Sequence, residues 1–348
     1  MHGGTEAVMQ GVWQRLVPWL KFILSSGLIV LLWQQGKLDF TALGQLSAAP
    51  WTILAVVLLS LISYSLISLR WVILLRSQQI PLSFAWGQRI TYLGIFCNLV
   101  LPGGGMAGDA VRMAHAMRVA PDQKLEALST LLVDRLVGLH VMLVIALFVV
   151  AFQPQLVLGS VTLRFMAITV VVFVLALPLG ALLIYRLAKH VGRSPRFAAF
   201  LVSGRLGRLT ARMIEIVRLY RNARRQLAQA FLLSVVAQSL MLVALVLVAQ
   251  SLDLGPLASL DYVFATPWAW IANFLPLTPG GIGVGEATFD QVCRWIESSP
   301  SGAPYGTIFL MYRMLTMLGS FPGLILFFFA RQEVRDAMHP RDPLDASG

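Results

Sequence analysis

Two acids and two arginines stand out in an otherwise apolar chain: Asp109 and Glu286, each just behind a glycine run, and Arg135 and Arg313 further along. Residues 102–110 read PGGGMAGDA and residues 279–287 read PGGIGVGEA, 177 positions apart. Under that offset Gly103 and Gly104 map onto Gly280 and Gly281, Gly108 onto Gly285, and Asp109 onto Glu286; Asn98 and Asn273 precede the two runs, slightly out of register. An arginine fork suits bidentate contact with phosphate, and glycine backbone N–H groups can close around an anion. These residue types predict a phosphate-bearing headgroup held by Arg135, Arg313, Arg112 and the glycine runs, flanked by Asn98 and Asn273. Asp109 and Glu286 would then be counter-ions or proton acceptors.

Plainer roles compete with that chemistry. An acid in the first turn of a helix complements its positive end, and Gly104-x3-Gly108 and Gly281-x3-Gly285 are spacings that let helices pack closely. Behind the first run Asp109, Arg112 and His115 fall at i, i+3 and i+6; behind the second, Glu286 and Asp290 fall at i, i+4. Asp134 beside Arg135 reads equally as a structural ion pair. Acids next to glycine loops repel phosphate unless they are protonated or paired with the arginines. Matched ionisable residues inside an apolar protein are nonetheless costly, which favours a transport pathway.

The elements that must carry these residues are membrane helices. Apolar residues make up 57% of the chain and charged ones 12%, far from a soluble domain. Eight apolar segments are visible, at about 16–34, 51–69, 84–101, 127–152, 165–185, 227–250, 260–278 and 304–330. The first is read as a retained span rather than a cleaved leader. Residues 186–225 hold eleven Lys or Arg against the single acid Glu215, nearly the whole net charge of +11. Such a stretch belongs on the cytoplasmic side, or lies as an interfacial helix or hairpin on anionic headgroups.

If all eight segments crossed, that stretch would lie outside. The conflict disappears if 84–118 enters from the cytoplasm, breaks at Pro102-Gly-Gly-Gly and turns back, and if 260–290 does the same from the opposite side. Proline and glycine are where a helix breaks, and broken backbone at membrane depth must be buried or reached by water. The expectation is an all-α polytopic membrane protein of about six full spans plus two broken, re-entrant segments, with both termini cytoplasmic. The 177-residue offset also relates about 51–152 to about 228–329, two repeats of inverted topology within one membrane domain spanning 1–348. That construction is usual for alternating-access transporters.

Other classes find little support. Cys97 and Cys293 lie in apolar context as two ordinary buried thiols, and the five histidines show no metal spacing. The sequence contains no phosphate-binding G-x4-G-K-[ST] run, no nucleophile elbow and no nucleic-acid motif. A non-enzyme without cofactor is expected, and no nucleic-acid partner.

The run from Pro102 to Arg112, then Asp134-Arg135, then Thr278-Pro279-Gly280-Gly281-Ile282-Gly283 followed by Glu286, resembles the lysylphosphatidylglycerol synthase transmembrane family. This flippase-like family includes the N-terminal membrane region of the bacterial multiple peptide resistance factor. The resemblance covers roughly residues 15–335 and implies a lipid-translocating domain in a bacterial inner (plasma) membrane. Its partners would be membrane lipids: a phospholipid, a glycolipid or an isoprenoid-linked lipid. About eighteen polar residues follow the last span, so the synthase domain of the two-part members is not expected, nor its activity. Two other readings stand beside it. One is an accessory protein recruiting a lipid-modifying enzyme through the basic stretch; the other is a transferase using Asp109 or Glu286 on a polyprenyl phosphate.

Overall fold

The computed structural model describes residues 23, 25–100, 107–158, 160–190, 204–273, 278 and 281–329. Gly103, Gly104 and Gly280 therefore lie outside the described residues, as does most of the N-terminal half of the first expected span. All regular structure among the described residues is helical, and the chain is an all-α, multi-pass membrane protein.

In chain order the helices are α1 (Ser25–Gln34), α2 (Ala42–Ser47), α3 (Pro50–Ser77), α4 (Phe84–Val100) and α5 (Ala107–Val119). Then follow α6 (Lys124–Phe152), α7 (Gln155–Leu158), α8 (Val161–His190), α9 (Gly204–Leu219) and α10 (Arg224–Leu252). The last are α11 (Ser259–Asn273), α12 (Val284–Ile296), α13 (Tyr305–Gly319) and α14 (Phe321–Phe329). Four of them, α3, α6, α8 and α10, are long and apolar enough to cross a membrane. At 1.5 Å per residue each exceeds the hydrocarbon thickness of about 30 Å.

This differs from six full spans in two places. The first expected span is described as a helix only over Ser25–Gln34. The last, 304–330, is bent by 48° between α13 and α14. Pro322 explains the bend: it has no N–H to donate to the Leu318 carbonyl, and its ring crowds that carbonyl. Ser320 N–H and Gly323 N–H close the corner on Met317 O and Ser320 O instead. The expected breaks at Pro102-Gly-Gly-Gly and at Pro279-Gly280 fall on residues outside those described; α4 is described to Val100 and α5 from Ala107, α11 to Asn273, and α12 starts at Val284 behind a Gly281–Gly283 turn.

The described parts of the basic stretch, 186–190 and 204–225, are largely helical. Helix α8 extends to His190, α10 begins at Arg224, and α9 occupies 204–219 between them. Apolar residues recur through α9 at helical spacing, with arginines on the remaining positions.

The chain forms two compact units. The first comprises residues 1–64, 89–112 and 239–348; the second comprises 65–88 and 113–238. In the first unit α12 packs against α11 on one side and α13 on the other. Phe289 of α12, buried there, stacks near Tyr262 of α11 and Phe309 of α13. Glycine lets helices of this unit touch closely: a Cβ on Gly319 would collide with Ser60, and one on Gly323 with the backbone of Tyr92. In the second unit α6 packs on α8, and α9 packs on both.

Candidate functional site at the two helix breaks

The second break is built around Glu286. Gly283, the residue before α12, has a φ of +88°, and Gly281 has +74°, backbone that a side chain would strain. This turn places Gly283 N–H against Glu286 Oε2 at 2.7 Å, closing the first turn of α12 on its own acid. The other carboxylate oxygen, Oε1, accepts from Arg313 Nη1 of α13 at 2.8 Å. The same Nη1 lies 3.3 Å from the carbonyl of Gly281. Glu286 is fully buried, so its charge is met by one guanidinium and one oriented N–H in a place that water does not reach.

Asn273, at the end of α11, fills the space left by two missing side chains. Its Oδ1 lies 2.6 Å from where a Cβ on Gly281 would stand, and its amide also occupies the place of a Cβ on Gly285. The turn is covered from α1: Ser25 Oγ donates to Ile282 O at 3.3 Å, and Leu28 packs where Gly283 has no side chain.

The first break repeats part of this design. Asn98 of α4 accepts the Gly108 N–H of α5 at 2.6 Å. Gly108 is the residue that the offset pairs with Gly285, and Asn98 is the counterpart of Asn273. A Cβ on Gly108 would collide with the Gly94 carbonyl, so α4 and α5 meet backbone to backbone. Asp109 sits in the first turn of α5 as Glu286 does in α12. Its ion-pair partner is one turn along its own helix, Arg112 Nη1 at 3.9 Å, a looser pair than Glu286–Arg313. Arg112 is buried while Asp109 is half-buried.

The structure thus joins Glu286, Arg313, Gly281 and Asn273 into one constellation, and Asp109, Arg112 and Asn98 into another, both within the first unit. Arg135 stands half-buried on α6 in the second unit. His115 also belongs there, its ring 5.1 Å from that of Trp86, so the spacing i, i+3, i+6 resolves into an ion pair and a separate ring contact.

Two charged clusters escaped the sequence reading of site residues. In the second unit Arg70 of α3 is buried and its Nε donates to Asp134 Oδ1 at 2.7 Å. Its Nη1 donates to Ser234 Oγ of α10 at 2.7 Å. The Asp134 carboxylate, which reads in the sequence equally as a partner of its neighbour Arg135, accepts from Arg70, 64 residues away. Gly138, one turn beyond Asp134, leaves room for the guanidinium, and Gln238 Nε2 donates to the Gly138 carbonyl at 2.7 Å. The apolar run after Arg70 (Trp71, Val72, Leu74, Leu75) was the available signal that this arginine lies inside a helix bundle.

In the first unit the buried Asp290 is shared by two cations. Arg294 contacts it through Nε at 2.8 Å and Nη2 at 3.2 Å, and Lys37 Nζ lies 3.5 Å away. Arg294 also donates to Ala303 O at 3.1 Å, which ties the end of α12 to the start of α13. The i, i+4 spacing of Glu286 and Asp290 therefore puts two buried acids on one helix face, each with its own cation.

Chemically, the second break is an anion receptor occupied by the protein's own carboxylate. Arg313 and the Gly283 N–H are the donors a phosphate would use, and Glu286 holds both. A family model described as the lysylphosphatidylglycerol synthase TM region matches residues 19–323. No curated protein and no solved structure shows a significant match to the chain.

Proposed function

Since the chain belongs to the lysylphosphatidylglycerol synthase transmembrane-region family, we propose that it moves a phosphate-bearing lipid between the leaflets of a bacterial inner membrane, with both termini on the cytoplasmic side. The observation that carries this reading is the buried Glu286–Arg313 pair at a broken helix. Buried charge at membrane depth has a high desolvation cost, and in transporters it marks the substrate path.

In this reading the headgroup phosphate exchanges places with the Glu286 carboxylate. The anion takes Arg313 and the Gly283 N–H while the carboxylate withdraws or takes a proton, and the return of Glu286 expels the headgroup. Because the internal acid supplies the same donors with the same charge, neither state leaves Arg313 uncompensated. The Asp109–Arg112 pair offers a second, looser receptor at the matched break, and Arg135 the matched arginine of the first repeat. No bond in the lipid is made or broken, so the protein works without catalysis or cofactor.

The test is reconstitution into liposomes carrying tail-labelled phosphatidylglycerol, phosphatidylcholine and a glycolipid, with a membrane-impermeant quencher reading headgroup exposure. The wild type should accelerate leaflet exchange of an anionic lipid. Arg313→Gln should abolish it, at a cost in stability because the buried Glu286 carboxylate loses its cation, in protein that still reconstitutes in folded form. Exchange rates equal to empty liposomes across the panel would refute the reading. So would full activity in both Arg313→Gln and Arg135→Gln.

A further inference from the structure

Helix α9 carries both buried apolar residues and exposed arginines. Gly207 and Ile214, seven residues apart and so on one side, are buried. Ile216, Leu219 and the following Tyr220 pack into a core with Leu74, Val133, Val137 and Ala230. Helix α9 packs on α6 and α8. Arg208 and Arg212, four apart on another side, are exposed, and exposed Arg218, Arg221, Arg224 and Arg225 continue the charge toward α10. Glu215 is the single acid among them. Beside the arginines Leu209 is 56% exposed.

An exposed leucine flanked by arginines gains nothing in bulk water. At a membrane surface the leucine enters the acyl boundary while the arginine stems reach up to the phosphates. The chain fixes α9 at that level, because only Tyr220–Ala223 separate it from α10, a span whose first residues are Arg224 and Arg225.

We infer that the arginine face of α9 is a docking surface for the anionic phospholipid headgroups of the leaflet in which α10 begins. Its residues are other than those of the two helix breaks, and it stands whether or not the chain moves lipid. Each arginine there strengthens association with anionic lipid by roughly fivefold. The basic stretch thereby becomes a lipid-composition sensor fastened to the second unit as well as a topology signal.

The test uses the full-length protein in mixed micelles containing either phosphatidylglycerol or phosphatidylcholine, read by native mass spectrometry of retained lipid and by melting temperature. Phosphatidylglycerol should be retained and should raise the melting temperature; phosphatidylcholine should do neither. The triple variant Arg208→Gln, Arg212→Gln, Arg221→Gln should melt as the wild type in phosphatidylcholine and lose most of the phosphatidylglycerol response. Salt at ~0.5 M should have the same effect on the wild type. The corresponding triple lysine variant should recover the response, since the surface reads charge. Adding the triple Gln substitution to Arg313→Gln should still lower the phosphatidylglycerol response, which separates this surface from the second break. An undiminished phosphatidylglycerol response in the triple Gln variant would overturn the inference. Failure of lysine to rescue would also overturn it, since a surface that reads charge accepts either cation.

Discussion

The Glu286 carboxylate and the Arg313 guanidinium meet at 2.8 Å, and the opposite oxygen of the same carboxylate closes the first turn of α12 on Gly283 N–H. One side chain therefore caps a helix and neutralises a buried cation. The two roles that compete on paper, dipole complement and counter-ion, coincide in the same four atoms.

Substitution can separate them. Glu286→Gln keeps an oxygen for the Gly283 N–H but removes the charge facing Arg313, so the receptor should hold an anionic headgroup more tightly and release it more slowly. Retention of phosphatidylglycerol should rise while leaflet exchange falls. Glu286→Ala removes both roles and leaves Arg313 without its carboxylate, costing about 3–5 kcal/mol of stability. Thermal melts in detergent check the stability, and lower retention in Glu286→Gln than in the wild type would contradict the receptor.

The Arg70–Asp134 pair should behave as a structural tie. Asp134→Ala strands a buried guanidinium and should destabilise the protein by about 3–5 kcal/mol, as should Arg70→Ala. The double variant Arg70→Leu with Asp134→Leu should recover much of that loss, because desolvation of the pair offsets most of its attraction. A double-mutant cycle by chemical denaturation measures it; strict additivity would show that the two do not act together.

Gly108→Ala should be poorly tolerated. The added methyl meets the Gly94 carbonyl and the Asn98 amide, and overpacking against backbone costs about 1–3 kcal/mol. Ala110, two residues on and exposed, provides the control: Ala110→Ser should leave the melting temperature nearly unchanged. Equal melting of the Gly108→Ala variant and the wild type would mean the half-helices are not in contact there.

Asp39 gives a pH-dependent signature outside the membrane-spanning segments. The Thr41 hydroxyl and backbone N–H both donate to its carboxylate and hold its pKa below the ordinary 3.8. A lowered native value means that stability is present above 3.8 and is lost as pH falls through the native value. The melting temperatures of the wild type and Asp39→Asn should therefore differ at neutral pH and converge in acid. A gap that widens on acidification would reverse the assignment.

The topology makes its own prediction. Single cysteines placed in 102–108 and in 279–285, with Cys97 and Cys293 replaced, should react with impermeant reagents from opposite faces of the membrane. Labelling of both from one face would exclude the inverted arrangement.

Much of this was legible before any coordinates. Proline and glycine announce where helices stop, so the turn at Gly281–Gly283 before α12 could be read from residue type alone, and apolar length marked the membrane class. The pairing of Glu286 with Arg313 was within reach because a repeat marked both. Arg70 was legible as a core residue only through the apolar run that follows it. At the end of an apolar run it satisfied the positive-inside rule, and its partner lies in a distant segment that no local pattern points to. The contact of Asp134 with Arg70 was hidden for the same reason. The bend at Ser320 was hidden by the high apolar content of 304–330, in which Pro322 is one residue among many.

The bare-backbone seam between Gly94 and Gly108 has a mechanical consequence. Side chains normally stand between packed helices, and small shifts can be taken up in part by rotamers hopping in that layer. Here no such layer exists, and Asn98 bolts the two backbones together across the gap. The α4–α5 corner is thus a stiff lever arm: a push on either half-helix is delivered undamped to the other.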